Sequence, residues 1–323
     1  MITCHIQPPF IGSIQRNNIG VNVFSADPES EKLCTNGSFT KFLPAYKFSK
    51  KEHTTLYELW YIGGKQPFVQ HQLRQHRIIV GGNIADLAAG ETLPYLAYSL
   101  IEKQGQAHGE VTLHAAAITS GNKGALLLGK EGSGKTTLAM ELCIHHECKL
   151  VANDLVVIKF QKEKAWLMGG TQHFYARLAV VRDKFPHLQQ HFRQSIEIED
   201  AWQIRASILP EEIGIHTETE PKEITRAFVV HLPVKANGII ESKVSSRWAR
   251  LYLYEELSCY IRRTCLPILA GANDGYCLYG PSLDTPKLHE KRVKFMEYLI
   301  QNLSLIYISG SHQEVAKHIK NKL

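Results

Sequence analysis

Hydrophobic and polar positions alternate along this chain in two ways that change near residue 88. Before it, apolar residues fall in short extended pieces, among them Leu56 to Ile62 and Arg77 to Val80, broken by turn chemistry at Asn17-Asn18, Asp27-Pro28, Thr35-Asn36-Gly37 and Gly63-Gly64. This predicts a small, mostly β N-terminal domain over residues 1–88. From Ile84 to Lys103, Leu87, Leu93, Leu96, Leu100 and Ile101 recur at roughly helical spacing, interrupted by Gly90 and Pro94, so residues 89–110 read as a helical connector.

Residues 111–323 read as the main domain, with strands and helices in alternation. Val111 to Ile118 and Ala125 to Gly129 are apolar β-type runs around a turn too short for anything but an antiparallel hairpin. A helix follows over Thr136 to His146, then a strand at Leu150 to Ala152 that continues near Leu155 to Phe160, and another at Trp166 to Gly170. Later elements are a strand at Arg226 to Leu232, helices over Leu251 to Arg263 and Pro286 to Leu303, and a strand at Leu305 to Ser309. Ser311, with Glu314 three residues on, marks the start of a last helix by a capping-box pattern.

Composition narrows the class. At 323 residues, 44% of them hydrophobic, the chain can bury a sizeable core. The net charge of +6 is spread without single-sign blocks, which favours small anionic ligands and falls short of a nucleic-acid signature. The seven cysteines form neither a CxxC pair nor a regular framework, so reduced thiols in a cytoplasmic protein are expected. No apolar run approaches a membrane span, and no membrane association is expected.

The densest chemical signal is Gly129-Lys130-Glu131-Gly132-Ser133-Gly134-Lys135-Thr136, followed by Thr137, which fits G-x-x-x-x-G-K-[ST] between an apolar strand and a helix. Glycines allow a partly left-handed path that turns backbone N–H groups inward, and the following helix start adds positive potential. Lys135 then supplies charge to the outer phosphates and Thr136 a hydroxyl to Mg²⁺. Asp154, nineteen residues beyond Lys135, is placed by this reading at a strand end facing the same site, where it can hold Mg²⁺ or take a proton from an attacking hydroxyl. Its neighbour Asn153 hydrogen-bonds but cannot act as a base.

Two further residues are weaker candidates on pattern alone. His114 sits among small residues on the strand paired with the one entering the loop, where a buried core histidine is the ordinary alternative. Arg177, just past Gly169-Gly170-Thr171, can balance transferred charge or serve as a solvated surface arginine. His187 and His191 are four apart but lack a third metal ligand nearby. The basic residues Arg247, Arg250, Arg262 and Arg263 read first as a solvated helix face.

Taken together, Leu113-His114-Ala115-Ala116-Ala117, Leu126-Leu127-Leu128-Gly129 into Gly132-Ser133-Gly134-Lys135-Thr136-Thr137-Leu138, and Val151-Ala152-Asn153-Asp154 resemble the catalytic domain of HPr kinase/phosphorylase. That family includes kinases of ribosomally made peptides and shares a phosphate-loop fold with phosphoenolpyruvate carboxykinase. The resemblance is close over residues 111–180 and looser beyond. It implies an α/β P-loop kinase domain with a mixed sheet, ATP and Mg²⁺ as cofactors, and a hydroxyl acceptor, typically a serine. It also implies that His114 matches the active-site histidine, Lys135 and Thr136 the phosphate and metal residues, and Arg177 the family's arginine. Family members are often oligomeric, which points to a homo-oligomer. Two departures stand out. Asn153 replaces the first of the usual acid pair, leaving the base open among Asp154, His114 and a group brought by the substrate, and no glutamate accompanies Arg177, so reverse phosphorolysis is not implied.

The chain is therefore expected to bind a nucleoside triphosphate and to phosphorylate a serine of a peptide or protein. Two alternatives remain: a sugar or cyclitol kinase of the same fold, and a nucleotide-dependent binding module that transfers nothing.

Overall fold

The computed structural model describes residues 7–16, 18–35, 46–53, 56–89, 91–192, 201–262, 268–270, 276–278, 280 and 282–323; the Asn36-Gly37 turn, Gly90 and Arg263 lie outside them. The chain divides into two compact units, one of Met1–Val111 with Leu253–Phe295, the other of Thr112–Tyr252 with Met296–Leu323. Residues 253–295, which the sequence groups with the main domain, thus cluster with the N-terminal segment.

The first unit opens with β1 (Phe10–Arg16), β2 (Ile19–Ser25), α1 (Pro28–Thr35), β3 (Lys47–Ser49), β4 (Tyr57–Tyr61), β5 (Phe68–Gln72) and β6 (Arg77–Gly81). They form a six-stranded sheet ordered β3-β1-β2-β4-β6-β5, with β2, β4 and β6 parallel and antiparallel strands outside them. Leu59, Ile78, Ile79 and Val80 are buried, as continuous apolar runs in central parallel strands should be. The helical stretch after residue 84 is two helices, α2 (Ile84–Ala89) and α3 (Thr92–Ala107), because Glu91 is left-handed at φ 54°. Pro94 falls in the first turn of α3, where its missing N–H costs nothing. Rather than bridging as a free connector, α3 buries Leu93, Leu96, Leu100 and Ile101 and packs on β2 and β4.

The second unit is built from β7 (Glu110–Ser120), β8 (Lys123–Leu128), α4 (Lys135–His145), β9 (Lys149–Gln161), β10 (Lys164–Gly170), β11 (Phe174–Arg177), α5 (Leu178–Lys184), β12 (Arg205–Ile208), β13 (Lys222–His231) and β14 (Ile240–Lys243). α6 (Ser246–Arg262) then carries the chain into the first unit, where β15 (Ile268–Ala270) and β16 (Tyr276–Leu278) pair antiparallel. α7 (Pro286–Asn302) returns it to β17 (Leu305–Ser309) and α8 (His312–Lys322).

Its seven-stranded sheet runs β10-β9-β7-β8-β13-β17-β14 and is mixed: β8, β13 and β17 are parallel, while β7–β8, β9–β10 and β14–β17 are antiparallel. The β7–β8 hairpin closes through Gly121-Asn122 alone, since Ser120 still pairs with Lys123. β10 also meets β13 at Trp166 and Leu167, so this end of the sheet closes on itself. Leu127, Phe228 and Ile308 of the parallel strands share a core with Leu138 and Leu142 of α4 and Val315 and Ile319 of α8. Each such leucine, fully buried, stabilises the fold by about 1.5–3 kcal/mol. Ser311 caps α8, its side chain accepting from the Glu314 N–H. Among the described residues no helix is long and apolar enough to cross a membrane.

Candidate functional site

β8 leads straight into the 129–136 loop, and α4 begins at Lys135. Three glycines bend the path, with φ of 145° at Gly129, 78° at Gly132 and 97° at Gly134. A Cβ on Gly129 would stand 2.5 Å from Ser133 Oγ, and one on Gly134 2.7 Å from Leu232, so both positions exclude side chains by contact as well as by conformation. Gly132 faces open space and is demanded by φ alone. The loop is braced from outside: Leu232 N–H donates to Ser133 O at 2.9 Å, and Gly129 N–H donates to the Tyr252 hydroxyl at 2.9 Å. Trp248 stacks on that tyrosine at 4.8 Å.

Lys135 is buried and its ammonium turns back into the loop, donating to Gly129 O at 2.6 Å and Lys130 O at 3.1 Å. The residue preceding it, Gly134, is the N-cap of α4, and no side chain caps that helix. Its first N–H groups and its dipole are therefore directed at whatever occupies the loop.

His114 and Asp154 come together from neighbouring strands β7 and β9, with His114 Nε2 3.1 Å from Asp154 Oδ1. Both are partly exposed. Asp154 is not at a strand end, as its sequence position suggests, but inside the continuous β9, with a left-handed φ of 83°. Such a conformation is costly for a residue with a side chain and persists only where neighbours impose it. Thr171 does so. Asn153 N–H donates to Thr171 O at 2.6 Å, Thr171 N–H to Leu155 O at 3.0 Å, and Leu155 N–H to Thr171 Oγ1 at 3.0 Å. The same hydroxyl donates to Asn153 O. Gly170 lets the strands approach, for a Cβ there would meet Leu155 O at 2.0 Å. The kink carries Asp154 out of the ladder toward His114. Asn153 is buried beside it and spends its amide on His173 O at 3.1 Å.

Arg177 ends β11 directly opposite Arg205 of β12. Arg177 donates to Trp202 O at 2.7 Å, and both guanidiniums approach the carboxylate of Glu131 in the glycine loop, at 3.5 and 3.1 Å. Thr171, Arg205, Tyr252 and Trp248 carry no advance signal as site residues. Thr171, Arg205 and Tyr252 join the site through contacts with residues far away in sequence, and Trp248 through its stack on Tyr252.

Chemically, the arrangement offers amide donors and an ammonium for an anion, and a carboxylate with an imidazole for a proton. Among the described residues no three His, Cys, Asp or Glu side chains group as a resident metal centre, and His187 and His191 gain no third partner. The hard oxygens of Thr136 and Asp154 do fit a Mg²⁺ that arrives with phosphates and needs only one or two protein ligands. Cys143 and Cys148 are buried core thiols, pushed upward in pKa by that burial, and so are poor nucleophiles. Arg250 of α6 pairs with Glu297 of α7 at 2.7 Å.

No protein-family model matches the chain, and no curated protein matches it. Among solved structures it is similar to the Hpr(Ser) kinase/phosphatase from Coxiella burnetii, at 15% identity, covering 59% of this chain and 98% of that one, with a TM-score of 0.25. So distant a likeness carries no weight in reading the site.

Proposed function

We propose that the chain is a Mg²⁺ and ATP-dependent kinase that moves the γ-phosphoryl group onto a hydroxyl, with a serine of a peptide or protein as its acceptor. The observation that carries this reading is the glycine-bent loop, opening onto an uncapped helix start with the Lys135 ammonium at its centre. Loop amides and Lys135 bind the outer phosphates. Thr136 and Asp154 would hold Mg²⁺, which when bound neutralises phosphoryl charge. Asp154 accepts the proton of the attacking hydroxyl, and His114, 3.1 Å away, orients that carboxylate. Because phosphoryl transfer asks little covalent work of the protein, positioning of this kind is most of the catalysis.

Asn153 favours a second reading, in which nucleotide occupancy changes partner affinity and nothing is phosphorylated, since a buried, hydrogen-bonded amide takes no proton. Incubation with γ-labelled ATP, Mg²⁺, peptide pools and small polyols separates the readings. Label is expected in a peptide acceptor, with transfer reduced about 10²- to 10³-fold in Lys135→Ala and in Asp154→Asn. Label confined to polyols moves the acceptor to a small molecule. ATP binding with no labelled product, lysate components included, sinks the kinase reading and leaves the binding module.

A further inference from the structure

The contact between Glu131 and the two arginines has no role in the transfer described above, and its chemistry is unusual for its location. A carboxylate at the tip of a loop that cradles phosphates repels the ligand the loop is shaped for. Two guanidiniums set opposite each other on paired strands also repel, unless an anion lies between them. Here one oxygen, Glu131 Oε1, serves both.

We propose that Arg205 and Arg177 form a clamp for the terminal phosphoryl group of a bound triphosphate, and that Glu131 is the internal carboxylate which that group displaces. The inference rests on the nucleotide reading of the loop. Glu131 belongs to the loop that the nucleotide reading gives to the phosphates, so the two guanidiniums that reach its carboxylate stand beside that loop. Arg177 is oriented independently of Glu131, through Trp202 O, and keeps its direction after the exchange. Glu131 is 74% exposed, so the existing bridge is a solvated one and weak. A phosphoryl group presents three oxygens to two planar donor forks, a closer match than one shared carboxylate oxygen. The exchange therefore gains hydrogen bonds and removes the repulsion between Glu131 and the phosphates. In the absence of nucleotide, Glu131 keeps the two arginines aligned.

The test is equilibrium binding of two Mg²⁺-loaded probes, a non-hydrolysable β,γ-imido analogue of ATP and ADP. Wild type is compared with Arg205→Gln, Arg205→Lys and Glu131→Gln, each checked for an unchanged melting temperature. Arg205→Gln is expected to weaken the triphosphate analogue about tenfold and ADP less than twofold, because only the analogue has the terminal group. Arg205→Lys, which keeps charge but not the fork, is expected to recover only part of that loss. Glu131→Gln is expected to bind the analogue about two- to fivefold tighter, the reverse of what loss of a useful ligand would do. Unchanged analogue affinity in Arg205→Gln overturns the proposal and leaves a surface ion pair. Equal losses for both probes overturn it in favour of diffuse positive charge. A folded wild type that binds neither probe refutes the nucleotide reading itself, and the clamp with it, a result distinct from either of the others.

Discussion

Each unit contains a junction in which a strand passes through a glycine turn into a helix. In the first unit β6 passes through Gly81-Gly82-Asn83 into α2; in the second β8 passes through the 129–134 glycine loop into α4. Both turns are left-handed at glycine, and each is braced by a tyrosine hydroxyl, Tyr61 donating to Gly82 O at 2.8 Å and Tyr252 accepting from Gly129 N–H at 2.9 Å. They differ in what satisfies the helix start. Asn83 turns its own oxygen onto the N–H groups of Ala85 at 2.8 Å and Asp86 at 3.4 Å, closing that end from within. At α4 no side chain does this, and a buried lysine stands there. Glycine between strand and helix is thus a feature of chain geometry. The absent cap and the inward ammonium are what set the second junction apart.

That contrast can be pressed at three points beyond the transfer and binding assays above. The largest effect is expected at Gly134, where alanine would combine a φ of 97° with a 2.7 Å approach to Leu232. Gly134→Ala should lose about 2–4 kcal/mol in denaturant unfolding, whereas Gly132→Ala, facing open space, should lose about 1–2 kcal/mol. Equal losses would show that the loop relaxes and that Leu232 does not define its shape.

An intermediate effect is expected at Thr171, whose hydroxyl both donates and accepts across the Asp154 kink. Thr171→Val keeps the shape and removes the hydroxyl. It should slow transfer at saturating ATP about tenfold with ATP affinity unchanged, and Thr171→Ser should restore the rate. A matched fall in ATP affinity would mean that the hydroxyl merely supports the fold.

The smallest effect tests the other junction. Asn83→Ala removes a cap that closes α2 and should cost about 1 kcal/mol of stability, read as a lowered melting temperature, without changing nucleotide affinity. A change in affinity would erase the distinction between a closed junction and an open one.

How far these features are legible in the chain depends on the sequence range of the forces that make them. The β7–β8 hairpin, the helix after the loop, the last strand and the Ser311 cap are all readable, because each is decided by residues within a few positions of one another. The glycine loop is readable for the same reason. The two-helix break at Glu91 is harder to see, since one left-handed residue separates segments that share a helical period. Asp154 illustrates the limit. Its position suggests a strand end, yet β9 runs through it, because hydrogen bonds from Thr171, seventeen residues later, hold it in a conformation it would not choose locally.

The pairing of Arg205 with Arg177 depends on the register of β11 and β12, and the gathering of 253–295 with the N-terminal segment depends on packing of distant elements. By itself, then, the sequence determined the hairpin, the helix after the loop, the last strand and its capped helix, the loop itself and the identity of His114, Lys135 and Asp154 as candidates. Only the tertiary structure decided their company: which hydroxyl bends Asp154 toward His114, which tyrosine braces the loop, and which second arginine meets Glu131. Local dihedral preference and hydrophobic period act over a few residues, whereas strand register and side-chain packing join residues that the chain keeps far apart.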